Sequence, residues 1–293
     1  MNFLKKWYTY QKERFPILTY GLYCFCIVFG TFCFSSCCTR CNILGDECAL
    51  NYTLLIPMFI VGILQFLMVR IIDEFKDYEE DSKYRPYRPV PRGLVTLKEL
   101  KVLFIICVIL QVITTLIVNP KSLILLVVVW LFFAIMSKGF FIKKVLDKHI
   151  LCEVLLDEFL LPFTVLYLSS FVSNFIPDNI WQLLLFTYIV SWTIEIARKI
   201  RCKEAEEKGV KTYTAVFGIP KATILVWFLE TLLFALSIFI IGFKLYVAIV
   251  FAIISIINIL FIIKKNKVLS KCVEYMADIL VMMLLVSLVF LIL

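Results

Sequence analysis

The chain has 293 residues, 62% of them hydrophobic, 15% aromatic and only 18% charged, with a mean hydropathy of +0.96. Soluble domains are about 45–50% apolar and about 25% charged, so composition excludes a soluble globular domain, a disordered chain and a repeat or collagen-like protein. What remains is an all-α, polytopic membrane protein; the formal net charge of +8 follows its loops, so no nucleic-acid partner is expected.

A helix needs about 20 mainly apolar residues to cross a bilayer. Nine runs qualify: 15–36, 52–72, 99–118, 121–137, 150–172, 180–200, 219–241, 244–263 and 272–293. They predict a single transmembrane domain over 1–293. The charged segment 1–14 precedes an apolar run that is too long for a leader and lacks a small-residue cleavage site, so no cleavable leader is expected. Assigning alternate loops to two sides puts 27 Lys and Arg on one side and only Arg40, Lys121 and Lys244 on the other. Basic loops stay cytoplasmic. The N-terminus is therefore expected inside, the C-terminus outside, and the charged loops at the cytoplasmic face of the plasma (inner) membrane.

Of 11 cysteines, Cys33, Cys37, Cys38, Cys41 and Cys48 cluster at the far end of the first span and in its loop. A loop in an oxidising compartment could hold a disulfide there; equally, these are small apolar residues with free thiols. His149 is the only histidine, so no Cys–His metal pattern exists.

The loop after span 2 reads R-I-I-D-E-F-K-D-Y-E-E-D-S-K-Y-R-P-Y-R-P-V-P-R-G from Arg70 to Gly93. Asp73, Asp77 and Asp81 are spaced by four, which puts them on one face of a helix continuing from the span. Three like charges there repel, and a divalent cation reverses that sign. Magnesium takes hard oxygen ligands, usually one or two carboxylates plus substrate phosphates. The alternative is a solvated acidic helix end neutralised by Arg70, Lys76, Lys83 and Arg85. The prolines that follow stiffen the chain and hold Arg85, Arg88 and Arg92 beside the acids. Arginine presents a planar fork matched to phosphate oxygens; the alternative is a basic loop touching lipid headgroups.

Span 5 carries Glu153 and Asp157, with Glu158 adjacent, close after His149. Acids inside a membrane span mark functional sites by default. In the loop after span 6, Glu195 lies about one turn inside the apolar run, with Arg198 and Lys199 as its natural partners. Arg198 and Arg201 are expected to share a helix face that Ala205 continues, the helix ending at Gly209. In span 9, Glu274 and Asp278 are expected to pair with Lys271 or a lysine of the preceding loop.

Together these features resemble the UbiA superfamily of intramembrane prenyltransferases. That family has nine helices and a cytoplasmic amino end. Its N-D-x-x-D-x-x-x-D motif corresponds to Asp73, Glu74, Asp77 and Asp81, and its R-P-x-x-x-G to Arg88–Gly93. The resemblance implies magnesium at Asp73 and Asp77, with Asp81 close by. It implies diphosphate contacts from a basic pair after an aromatic stretch, loosely matched by Lys143 and Lys144 after Phe140 and Phe141. An Arg before a Pro near helix 1 is matched by Arg14 and Pro16. The stretch Gly209–Gly218 is similar to the family's G-x-x-T-…-G tail. Counting back from it, the acids of the second motif, D-x-x-D-x-x-x-D, fall on Arg198, Arg201 and Ala205. Cations thus replace the family's second metal motif, and Arg198 and Arg201, with Arg88, Arg92, Lys143 and Arg14, are expected to grip the diphosphate directly.

The resemblance implies a magnesium-dependent transfer of an isoprenyl group from its diphosphate to a hydrophobic or amphipathic acceptor. Asp73, Asp77, Asp157 and Glu153 would carry it, supported by Glu74, Glu195 and His149; Asp157, Glu153 and His149 are the candidate groups for the acceptor. Aromatic faces can stabilise a carbocation, although the same rings also serve as ordinary packing and interface anchors. Two alternatives stay open: a membrane terpene cyclase of the same superfamily, and a transporter or lipid-binding protein. Against transport, the polar residues gather at one face and no span is broken by paired Gly and Pro.

Overall fold

The computed structural model describes residues 2–42, 50–142, 146, 149–173, 176, 179–207 and 210–292, and the side chains of these except 38–42. Among the described residues it is all-helical. A short helix α1, Phe3–Arg14, precedes α2, Ile17–Asn42, and α3, Leu55–Lys76; then come α4, Tyr78–Tyr84, α5, Leu97–Val118, and α6, Leu123–Ser137. Next are α7, Ile150–Asp157, and α8, Leu160–Ser169, followed by α9, Ile180–Arg198, α10, Tyr213–Phe217, α11, Ile219–Ile241, α12, Leu245–Lys264, and α13, Lys267–Ser287.

Among the described residues, eight helices are long and apolar enough to cross a membrane. The segment expected as the fifth of nine spans, 150–172, is instead two short helices. Pro162 supplies the physical reason. It has no N–H for the carbonyl of Glu158, four residues back, and Phe159 N–H turns to Leu156 O at 3.4 Å. The freed carbonyls find partners on α9: Ser191 Oγ donates to Glu158 O at 3.1 Å and Tyr188 Oη to Leu155 O at 2.8 Å. A break at membrane depth persists only where such groups are satisfied.

The core is built around α2. Glycine brings backbones together there: a Cβ on Gly30 would lie 2.7 Å from Leu285 O of α13, and one on Gly62 of α3 would lie 2.8 Å from Cys24 Sγ. Cys24, Cys26, Cys33 and Cys107 are buried free thiols packed as apolar residues; Cys38, Cys41 and Cys48 lie outside the described side chains. Helix α5 begins with a capping box, Thr96 Oγ1 accepting from Glu99 N–H and Glu99 accepting from Thr96 N–H at 2.9 Å. Glu99 also takes Lys6 at 2.5 Å. With Trp7 and Tyr10 packed on Ile71, Val90 and Leu100, α1 is tied down over the charged end of the bundle.

Candidate active site

The acids of the first long loop do not stay equivalent. The helix breaks at Asp77, whose backbone (φ −96°, ψ 1°) separates α3 from α4. Asp81 turns inward, its side chain 3% exposed. Arg85 Nη1 donates to its Oδ1 at 3.0 Å, Arg88 to its Oδ2, and Arg14 Nη2 lies at 3.9 Å. Glu74, 1% exposed, takes Arg14 Nε at 2.5 Å and Arg70 Nη2 at 3.0 Å. These two carboxylates therefore hold a wall of four guanidinium groups. Asp81, expected as a metal ligand, has both oxygens engaged by arginine.

Asp73 is different. Its only ion pair among the described residues is a loose one, 3.5 Å to Arg70, and its side chain is 39% accessible although it lies as deeply enclosed by protein as any charged group here. It therefore lines a recess open to solvent at the charged end of the bundle. Arg198, 52% accessible, acts on it across that recess. Asp73 lies within electrostatic reach of Asp77, Arg198, Glu195 and Lys76. Asp77 makes no ion pair among the described residues; burial first, and then Asp81, raise its pKa above the ordinary value. A carboxylate destabilised in this way is one that a bound cation would relieve.

The fifth segment closes one side of this space. Lys76, at the end of α3, reaches Glu153 at 3.1 Å and Asp157 at 3.5 Å on α7. Helix α9 closes another side. Glu195 is paired with Arg198 and, at 2.6 Å, with Lys199. The two long loops touch directly, Arg85 Nε lying 3.7 Å from Glu207 Oε2. Tyr20 of α2 lies within electrostatic reach of Arg198, Asp73, Arg14 and Glu195. It carried no signal in the sequence, being one aromatic in an apolar run.

The remaining expected residues lie elsewhere. Helix α9 stops at Arg198, not Gly209, because Lys199 N–H and Ile200 N–H bond three residues back and Arg201 N–H goes to Thr214 Oγ1 at 3.0 Å. Arg198 and Arg201 thus do not share a helix face, and Ala205 sits in a separate short turn, Lys203–Ala205. Glu206 accepts from the hydroxyls of Thr212 and Thr214 and ties this loop together. Arg92 pairs with Glu13 at 2.9 Å on the surface. His149 is exposed. Asp278 interacts with the Tyr23 hydroxyl, not with Lys271, whose ammonium lies over the Tyr275 ring. Lys143, Lys144 and Gly209 lie outside the described residues.

Among the described residues no group of three or more His, Cys, Asp or Glu is arranged to hold a metal ion. Two carboxylates, Asp73 and Asp77, fit the sparse protein share of a magnesium site completed by substrate phosphates and water.

Comparison with known proteins agrees with the fold. The model of the UbiA prenyltransferase family matches residues 42–288. A solved structure concerned with digeranylgeranylglyceryl phosphate synthase in membranes is 21% identical, covers 98% of both chains and superposes with a TM-score of 0.58. A UbiA homologue from Aeropyrum pernix K1, solved in its apo form, is 13% identical over 87% of this chain and 94% of its own, with a TM-score of 0.61. No curated protein sequence matches the chain.

Proposed function

Because the chain belongs to the UbiA prenyltransferase family, we propose that it is a magnesium-dependent enzyme that transfers an isoprenyl group from isoprenyl diphosphate to a hydrophobic or amphipathic acceptor inside the membrane, at a site open to the cytoplasm. The observation that supports this reading is that Arg198 of the second charged loop acts electrostatically on Asp73 of the first, as do Asp77, Glu195 and Lys76.

Each side chain has a part in the reading. Asp73 and Asp77 hold the ion. Magnesium, when bound, supplies positive charge to the departing diphosphate. Arg14 and Arg88, fixed by Glu74 and Asp81, present further donors on the first-loop side, and Lys143 belongs to the same set. Arg198, held by Glu195, faces the phosphates from α9, where the family's second acidic motif would stand. Preorganised donors aimed at a developing anion stabilise the transition state most where water is scarce. The apolar bundle beyond receives the isoprenoid chain. Asp157 and Glu153 hold Lys76 against this space and set its charge.

The test is release of inorganic diphosphate from isoprenyl diphosphate by the protein in vesicles. Release should require magnesium, stop on chelation, and fall at least 100-fold in Asp73→Ala and Asp77→Ala, the scale of losing a principal electrostatic contribution. Turnover equal to wild type in both variants would remove the metal role. A cyclase is the second reading, favoured by the arginine at the second motif; cyclised product from isoprenyl diphosphate alone would establish it. The broken fifth segment is the one feature shared with transporters, and absence of any diphosphate release would favour that class.

A further inference from the structure

One acid lies far from the charged end of the bundle. Glu230 is the midpoint of the 23-residue α11, Ile219–Ile241, about 16 Å along the helix from either end, and it is fully buried. Its one hydrogen-bond partner among the described residues is Asn258 of α12, itself 1% exposed, whose Nδ2 donates to Glu230 Oε2 at 2.7 Å. No lysine, arginine or histidine nitrogen comes within 4 Å of the carboxyl among the described residues. Two atoms of the pair are left over, Glu230 Oε1 and Asn258 Oδ1, both buried and without a partner. Both are acceptors, and as carboxylate and amide oxygens neither has a hydrogen to give. The two helices are held in register around them. Three residues back on each, Trp227 Nε1 donates to Ser255 Oγ at 3.0 Å. One turn further along α11, Phe234 stacks on Phe251 of α12 with ring centroids 4.7 Å apart.

We infer that Glu230 carries a proton in the folded protein and closes a ring of two hydrogen bonds with Asn258, its O–H donating to Oδ1 while Nδ2 donates to Oε2. One proton satisfies both leftover atoms. An ionised carboxylate in that place would lack a counter-ion and a second donor, and a charge inside a membrane bundle persists only when it is paired or faces water. The orientation of the amide does not alter the conclusion: with its N and O exchanged, the same single proton is needed. The pair is thus a proton-binding site in the apolar core, fastening α11 to α12, and it is independent of the prenyl-transfer reading. On the helices packed against α11, the titratable groups nearest mid-depth are Tyr188 of α9, bonded to Leu155 O, and Asp278 of α13, engaged with the Tyr23 hydroxyl. Those of α10 (Tyr213) and α12 (Tyr246, Lys264) lie at helix ends. None of these groups acts on Glu230, whose one polar neighbour is Asn258.

Linkage fixes the sign of the pH dependence. A free glutamic acid titrates at about pH 4.3. Above that pH the unfolded chain releases this proton and the folded chain keeps it, so folding takes up a proton and stability falls as pH rises. Glutamine keeps the shape and both hydrogen bonds with no proton to take up, and escapes that fall.

The experiment uses the full chain in nanodiscs. Glu230→Gln should fold and remove one band from the infrared spectrum, the carbonyl stretch of a protonated carboxylic acid, which lies above the amide bands. Its thermal midpoint should exceed that of wild type by a margin that widens from about pH 5 to about pH 8. A folded Gln variant that loses no acid band, or a margin that stays flat or shrinks as pH rises, overturns the assignment. So does a wild-type midpoint raised by sodium chloride over choline chloride when the Gln variant does not respond, since a metal cation would then join the two oxygens. If Glu230→Gln does not fold, Asn258→Leu replaces it: the acid band should move to higher frequency as its hydrogen bond is lost, and an unchanged band overturns the assignment.

Discussion

At the scale of single residues, the acids of the first loop separate into two kinds, and mutation should tell them apart. Asp81, itself buried, neutralises the half-buried guanidinium groups of Arg85 and Arg88. Removing one partner of a buried, hydrogen-bonded ion pair is strongly destabilising, about 3–5 kcal/mol, because the other is left buried and uncompensated. Asp81→Ala should therefore lower the unfolding midpoint sharply. Asp73→Ala, which loses only a loose contact with Arg70, should leave the midpoint within a few degrees while abolishing turnover. A calorimetric scan of both variants checks this. Arg198 and Arg201 form a second such pair. Arg198→Ala should weaken diphosphate binding about tenfold or more, since charge-assisted bonds to phosphate are among the stronger kind. Arg201→Ala should change it little, because α9 ends before Arg201. Titration of both variants with inorganic diphosphate and magnesium reads the difference; equal losses would mean that the loop closes further around substrate.

At the scale of elements, the long apolar runs were legible because hydropathy over about 20 residues is a direct physical requirement of the bilayer. The expected span 219–241 coincides with Ile219–Ile241. The convergence of the two charged loops was also legible, since charge inside or beside an apolar run has to be paired or to face water. Three things were not. The division of labour between Asp73 and Asp81 depends on which way each turns after the break at Asp77, and a spacing of four does not encode that. The end of α9 depends on Thr214, 13 residues away, capturing the Arg201 N–H. The break in the fifth segment was written in Pro162, but a lone proline inside an apolar run kinks some helices and ends others; Ser191 and Tyr188, which settle the outcome, lie on another helix. This makes the break testable. Pro162→Ala would offer an N–H to the Glu158 carbonyl and let α7 run into α8. The variant should be more stable to heat and less active, the trade expected where a strained element serves a site. A gain in stability with wild-type turnover would show that the break is only a packing feature.

At the scale of the whole molecule, orientation decides from which side the proposed diphosphate substrate would enter. The 27 to 3 division of basic residues depends on the fifth segment counting as a crossing, although its two halves are each too short to span alone. Contacts within the fold bear on this. Lys76 on α3 reaches across to α7, while Ser122, before α6, accepts a hydrogen bond from Ser170, just after α8, at 2.7 Å. The pair α7–α8 thus starts beside the charged loops and ends beside the opposite end of α6, so together the halves traverse the bundle and reverse its direction once, as one span would. The basic loops then predict that the charged end faces inward. Cysteine replacements at Lys121, between α5 and α6, and at Glu207, in the second charged loop, should distinguish the sides in intact cells, after the accessible native cysteines have been replaced by serine. A membrane-impermeant thiol reagent should label Lys121→Cys from outside and reach Glu207→Cys only after the membrane is opened. Labelling of Glu207→Cys from outside would invert the molecule, and with it the side that Asp73 and Arg198 face.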